Sequence, residues 1–286
     1  MRRPTTVLPN CAGVILVIDG DNTLWDTNRV FENAQHWLLR SLRRARPSNP
    51  TVLSFEQLRK VDDLLIRNSG RQEYDFRLLV LALMFLQKGS TETDAVSFAL
   101  SELRGHSDSI DAKLAAKISQ AFSLKLREIP PLLPSVRRTL KELLQLKMCY
   151  KGWLALILLS EGDEIRIRPI LECHFGKRRF FDASQIVERK SEDVLHGVQV
   201  QGSKMLESES GCSQIQNQLL VVGDSIESDI VPGNSVGAIT IYIPGGYKGV
   251  EVPSSDEKRP RRVLSSFREL PELVESILAA AGEVNL

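Results

Sequence analysis

The sequence predicts an α/β protein: a parallel sheet with a helical domain inserted after its first strand. Three observations predict it. Short β-branched apolar runs without polar alternation, such as Val14-Ile15-Leu16-Val17-Ile18, have the pattern of strands buried on both faces. Further apolar runs at 153–159, 219–222 and 239–243 alternate with helical segments, the mark of a parallel sheet. Between the first run and the others, residues 30–126 are Leu/Ala-rich, with helical spacing and no strand pattern.

The first strand, 14–18, stops at Asp19-Gly20-Asp21-Asn22-Thr23, a run of turn-forming residues. Segments 30–44, 55–67, 76–87, 94–103 and 110–126 read as helices with Asn, Ser, Gly and Pro breaks between them. Residues 78–86 are apolar all round, which makes that segment the buried centre of the block. Ile129-Pro130-Pro131-Leu132-Leu133-Pro134 is a stiff connector. Val136, Leu140, Leu143, Leu144 and Met148 resume helical spacing. The second strand, 153–159, ends at Ser160-Glu161-Gly162-Asp163, and a helix near 165–175 leads to a short Phe180-Phe181 segment. The strand at 219–222 ends at Gly223-Asp224-Ser225, and 239–243 is the last clear strand. A closing helix starts near Pro271, a residue suited to a first helical position. The polar stretches 201–217 and 251–262 read as surface excursions. The resulting division is an α/β part at 1–24 and 131–286 and a helical part at 25–130.

Composition narrows the function. The chain has 286 residues, 42% hydrophobic, with 37 Lys+Arg against 36 Asp+Glu, a net charge of +1. That balance argues against a nucleic-acid partner. No apolar stretch approaches the roughly 20 residues that cross a bilayer, so no membrane partner is expected. Arg2 and Arg3 precede the apolar run, but the run is short and ends in Asp19, unlike a signal peptide. Cys11, Cys149, Cys173 and Cys212 form no CxxC pair, which fits reduced thiols and a cytoplasmic protein. Cys173 and His174 are adjacent and point apart on a helix, so they make a poor zinc site. The cluster Glu257-Lys258-Arg259-Pro260-Arg261-Arg262 could bind an anion but reads as a solvated loop.

Acidic or hydroxyl residues follow three of the apolar strands: Asp19 and Asp21, then Ser160, then Asp224 with Asp229. Ligands of open α/β sheets bind outside the carboxyl ends of the strands, so these residues converge on one crevice. Carboxylates gathered there repel each other unless a cation offsets them, and oxygen ligands suit Mg²⁺. One residue separates Asp19 from Asp21, which on extended backbone sets them about 7 Å apart on one side. That spacing leaves room for a phosphoryl group between a nucleophile and a proton donor.

Val17-Ile18-Asp19-Gly20-Asp21-Asn22-Thr23-Leu24 resembles the first motif, hhDxDxT, of the haloacid-dehalogenase-like (HAD) superfamily. Leu158-Leu159-Ser160 resembles its second motif, Lys190 its third-motif lysine, and Gly223-Asp224-Ser225-Ile226-Glu227-Ser228-Asp229 its fourth, GDxxxxD, all in the family's order. The resemblance implies a three-layer Rossmann-like core with an all-helical cap of type 1 at 25–130. It implies a hydrolase in which Asp19 is the nucleophile, forming an aspartyl-phosphate, and Asp21 the general acid and base. Ser160 and Lys190 would bind phosphate. Mg²⁺ would be held by Asp19, the Asp21 backbone carbonyl and Asp224, with Asp229 orienting that shell or binding through water. The implied substrate is a small phosphomonoester, its choice set from the cap side, where Trp25, Asp26, Asn28 and the segment 67–74 are candidates. Alternatives are a 2-haloacid dehalogenase, which generally lacks the second aspartate, a phosphomutase, and a non-catalytic binding module on the same fold. Two departures stand out: Gly20 sits where the family usually has a larger apolar residue, and Ser160 replaces the commoner Thr.

Overall fold

The computed structural model describes residues 12–45, 52–69, 74–105, 109–176, 179–211, 216–245 and 251–283. They fall into two compact units, one within Met1–Asn28 and Ile129–Leu286, the other within Arg29–Glu128. The strands are β1 (Ala12–Ile18), β2 (Leu154–Glu161), β3 (Ala183–Val187), β4 (Gln216–Gly223), β5 (Ile239–Tyr242) and β6 (Arg262–Val263). The helices are α1 (Thr27–Ala45), α2 (Phe55–Ser69), α3 (Phe76–Gln87), α4 (Glu92–Arg104), α5 (Ile110–Leu126), α6 (Val136–Cys149), α7 (Glu164–Phe175), α8 (Glu192–Ser210), α9 (Val231–Ser235) and α10 (Leu270–Glu283).

The six strands form one sheet in the order β3-β2-β1-β4-β5-β6, with every pairing parallel. Side chains alternate across a strand, so each strand feeds two cores. Val14, Leu16 and Ile18 of β1 pack with Val136, Leu140 and Leu143 of α6, Ile167 and Ile170 of α7, and Leu270, Val274 and Leu278 of α10. Ile15 and Val17 point the other way, against Leu195, Val198 and Leu206 of α8. Helices on both faces make this the α/β, three-layer Rossmann-like fold that the strand pattern predicts. Gly202 lets α8 close on the sheet, since a β-carbon there would lie 2.7 Å from the Ile15 side chain.

Three elements depart from the sequence reading. The polar stretch 201–217 is not a surface excursion: 201–210 is the second half of α8, and 216–217 begins β4. The apolar stripe of α8 is thin, with Leu195, Val198, Gly202 and Leu206 buried between polar residues, so hydrophobicity alone hides it. Strand β3 lies on a sheet edge with mostly half-buried residues and so carries no apolar run. Strand β6 is a two-residue edge pairing that overlaps the end of the 251–262 stretch.

In the other unit α3 is the buried centre, with Leu79, Val80, Leu81, Leu83 and Met84 inside a cluster shared with α2, α4 and α5. Asp75, Thr91 and Ser109 cap α3, α4 and α5, each accepting a backbone N–H of the first turn. Tyr74 donates to Asp62 within this unit. Residues 70–73 of the cap-side candidate segment 67–74 lie outside the described residues, as do Cys11 and Cys212.

Candidate active site

The sheet brings the scattered acids together at one edge. Ile18 is level with Leu158 of β2 and Val222 of β4, so Asp19, Ser160 and Asp224 all sit at carboxyl ends of adjoining strands. Asp19 continues the ladder by donating its N–H to the Val222 carbonyl at 2.9 Å. Its side chain is buried, as is that of Ser160.

Lys190 lies at the junction of β3 and α8. Its N–H donates to Glu161 at the end of β2 at 3.1 Å, which aims the side chain inward. The buried ammonium bridges two carboxylates, donating to Asp19 and, at 2.5 Å, to Asp229. Asp229 stands on a π-helical turn, Ile226–Ile230, and its second oxygen accepts the Ser225 N–H at 3.1 Å. Gly223 makes room for it: a β-carbon at 223 would fall 2.1 Å from the Asp229 carboxylate. The glycine before Asp224 therefore serves the residue six positions on. Lys204, another lysine of this region, is exposed on α8.

The electrostatics follow from burial. Loss of hydration pushes the Asp19 carboxyl well above the usual range; Lys190 opposes this, while Asp229, Asp224 and Asp21 add to it. Burial and the neighbouring Asp229 raise Asp224 to about 7. The Lys190 ammonium is held above its ordinary value: desolvation works against its charge, but Asp19 and Asp229 outweigh it. Asp19, Asp224 and Asp229 each offer a carboxylate oxygen, and these lie within 4.8 Å of one another. One lysine among these acids leaves negative charge unbalanced, and hard oxygen donors of this kind fit a divalent cation such as Mg²⁺.

Asp21 has its own set of partners. Its carboxylate accepts the indole N–H of Trp25 at 2.7 Å, the Thr27 hydroxyl, and a two-pronged contact from Arg166 at 2.9 and 2.5 Å. Burial alone would raise its pKa, but Arg166, Thr27 and Trp25 together hold it below the usual range. Asn22, in the left-handed region at φ 53°, makes the turn that follows Asp21. The connector bonds to this turn: Asp26 and Leu133 exchange backbone hydrogen bonds with Pro131 and Leu24 at 2.9 Å.

Gly20, the departure noted in the sequence, has a steric cause. A β-carbon there would lie 2.4 Å from the Trp25 ring and 2.8 Å from the Ser160 hydroxyl. Trp25 fills the space that a larger residue at 20 would occupy and is fully buried beside Phe175. We expect Gly20→Ala to cost about 1–3 kcal/mol in a urea titration, by overpacking against Trp25.

The Ser160 hydroxyl is buried with no hydrogen-bond partner among the described residues, although buried hydroxyls normally have one. Arg166 is the site residue that sequence reasoning missed. It lies six residues beyond Ser160 on α7, inside the helix read near 165–175, to which the sequence reading assigns no functional residue. The signal beside it is Gly162, at φ 140°, where a β-carbon would meet the Arg166 Nη2 at 2.9 Å.

Comparison with known proteins agrees with this geometry. A family described as HAD-hydrolase-like matches residues 203–270, which include β4 and the turn bearing Asp224 and Asp229. No curated protein sequence matches the chain. Among solved structures, a haloacid-dehalogenase-like family hydrolase from Xanthomonas campestris aligns over 96% of this chain and 99% of its own, at 18% identity and a TM-score of 0.54. A protein of Burkholderia xenovorans LB400, assigned as a haloacid-dehalogenase-like hydrolase, aligns over 93% and 99%, at 14% identity and a TM-score of 0.55. The Bacillus subtilis protein YfnB, assigned as a HAD-hydrolase and bound to magnesium, aligns over 92% and 99%, at 17% identity and a TM-score of 0.52. At these identities the structures speak for the fold, and the matched family speaks for the segment that carries the later acids. With that segment closing on Asp19 and Lys190 at the carboxyl edge of the sheet, the chain has the fold of the haloacid-dehalogenase-like hydrolases, and its residues 203–270 match the HAD-hydrolase-like family.

Proposed function

We propose that this protein is a Mg²⁺-dependent phosphohydrolase that cleaves a small phosphomonoester through an aspartyl-phosphate on Asp19. The observation that carries the reading is the buried Lys190 ammonium bridging Asp19 and Asp229, beside an unpartnered Ser160 hydroxyl. An ammonium and a vacant hydroxyl donor next to a nucleophilic carboxylate suit a phosphoryl group, whose transfer depends on positioning and charge neutralisation.

In this reading the Asp19 carboxylate attacks phosphorus and the ester P–O bond breaks. Asp21, protonated in the complex with the ester, gives its proton to the leaving oxygen. It then takes a proton from the water that attacks the aspartyl-phosphate, releasing phosphate and free Asp19. The Arg166 contact favours the carboxylate form of Asp21, the form that the second half-reaction uses. Ser160 and Lys190 bind phosphoryl oxygens, and Lys190 also neutralises Asp19. Asp19, the Asp21 backbone carbonyl and Asp224 would hold Mg²⁺, with Asp229 orienting them. The bound ion would offset the repulsion between carboxylates and phosphate. Asp21 itself favours this reading over a dehalogenase, which needs no acid for a halide leaving group. The helical residues 25–130 are assigned the part of a cap domain and residues 1–24 with 131–286 that of the catalytic core, and exposed free thiols at Cys149 and Cys173 fit the cytoplasm.

The test is a panel of phosphomonoesters and 2-haloacids assayed with Mg²⁺ and with excess chelator. We expect phosphomonoester turnover that falls by about 10²-fold or more in chelator and returns with Mg²⁺. Haloacid turnover undiminished by chelator would assign the dehalogenase reaction instead, and no turnover of any compound would leave a binding module.

A further inference from the structure

Arg166 is placed to do more than hold Asp21. The Asp21 carboxylate is already oriented by Trp25 and Thr27, so its position does not require a guanidinium. The contact from Arg166 uses one N–H on each terminal nitrogen. The second N–H of each, and Nε–H, have no partner among the described residues. Arg166 and Asp21 are not sealed: their side chains keep 21% and 23% of their exposure, whereas Asp19 and Lys190 keep 6% and 3%. The guanidinium also has a prepared seat, lying over Gly162 where any side chain would displace it. A planar cation with a vacant donor edge binds carboxylate or phosphate in a two-pronged fashion. This edge adjoins Asp21, the group that meets the leaving oxygen in the function proposed above.

We propose that Arg166 recognises the leaving group: the substrate is a phosphomonoester bearing a carboxylate or a second phosphate close to its ester oxygen, and the outer edge of Arg166 binds that anion while its inner edge holds Asp21. The inference rests on the phosphohydrolase reading, and its test separates the two. Binding of three non-hydrolysable probes, propylphosphonate, 3-phosphonopropionate and propane-1,3-diphosphonate, is measured by calorimetry in Mg²⁺ for the wild type, Arg166→Gln and Arg166→Lys, with melting curves to verify folding. Wild type is expected to bind one of the two probes with a second anion roughly tenfold or more tighter than propylphosphonate, as for a charged hydrogen bond. Whether the preferred probe is the carboxylate or the diphosphonate identifies the anion. Arg166→Gln is expected to erase the preference, binding the two probes with a second anion no tighter than propylphosphonate, and Arg166→Lys to keep part of it. A wild type indifferent to the second anion, a preference that survives in Arg166→Gln, or equal losses for all three probes would overturn the inference and leave the phosphohydrolase standing. Failure of every probe, propylphosphonate included, to bind the wild type would overturn the parent reading and the inference together.

Discussion

Asp19→Asn is expected to abolish turnover, by about 10⁴-fold or more, in a protein that melts at or above the wild-type temperature. The two halves of this outcome come from one arrangement. The Asp19 carboxylate is buried at the end of β1 with its charge opposed by desolvation and by three other acids. An amide of the same shape removes that repulsion, and Lys190 keeps Asp229 as its partner. What the amide cannot do is attack phosphorus. A catalytic carboxylate in this setting is thus held at some expense to stability, and its loss relieves the fold while ending the reaction. Kinetics on the best ester of the panel, with melting curves on the same sample, check both halves. Activity near the wild-type level would remove Asp19 from the chemistry, and a large fall in melting temperature would make it a structural acid.

The parts of this protein that declare themselves in sequence are those whose pattern has a single physical meaning. The strands β1, β2 and β4 are buried on both faces, so they read as unbroken apolar runs, and their carboxyl ends carry Asp19, Ser160 and Asp224. Helix α3, apolar all round, declares itself in the same way. The elements that escape notice are half-buried. Helix α8 meets the sheet through a thin stripe relieved by Gly202, and β3 is an edge strand of mixed polarity. The site divides along similar lines. Asp19, Asp21, Ser160, Lys190, Asp224 and Asp229 sit where short motifs place them, at strand ends and just after them. Arg166 reaches Asp21 across 145 positions of chain, and no local pattern encodes such a contact. Gly20 and Trp25 form a pair in which one side chain fills the space the other lacks. Read singly, the glycine looks like a departure and the tryptophan like a surface contact.

Lys190→Met is the substitution expected to harm both stability and activity. The ammonium lies between two carboxylates, with 3% of its side chain exposed. Removing one member of a buried ionic cluster leaves the others uncompensated, typically at about 3–5 kcal/mol. The pH dependence identifies the cause. Lys190 lowers the pKa of both Asp19 and Asp224, each of which burial already raises. Without it both folded values move further above those of the unfolded chain. A carboxyl raised in the folded state binds more protons folded than unfolded, so stability is intact below the unfolded value and is lost as pH rises through the folded one. The deficit of Lys190→Met relative to wild type is therefore expected to be largest near pH 8 and to shrink toward pH 5, as Asp224, already at about 7 with the lysine present, and Asp19 take up protons. Urea midpoints at the two pH values decide it. A deficit of the same size at both would mean that Lys190 acts through packing, and the charge balance argued for the site would fail with it.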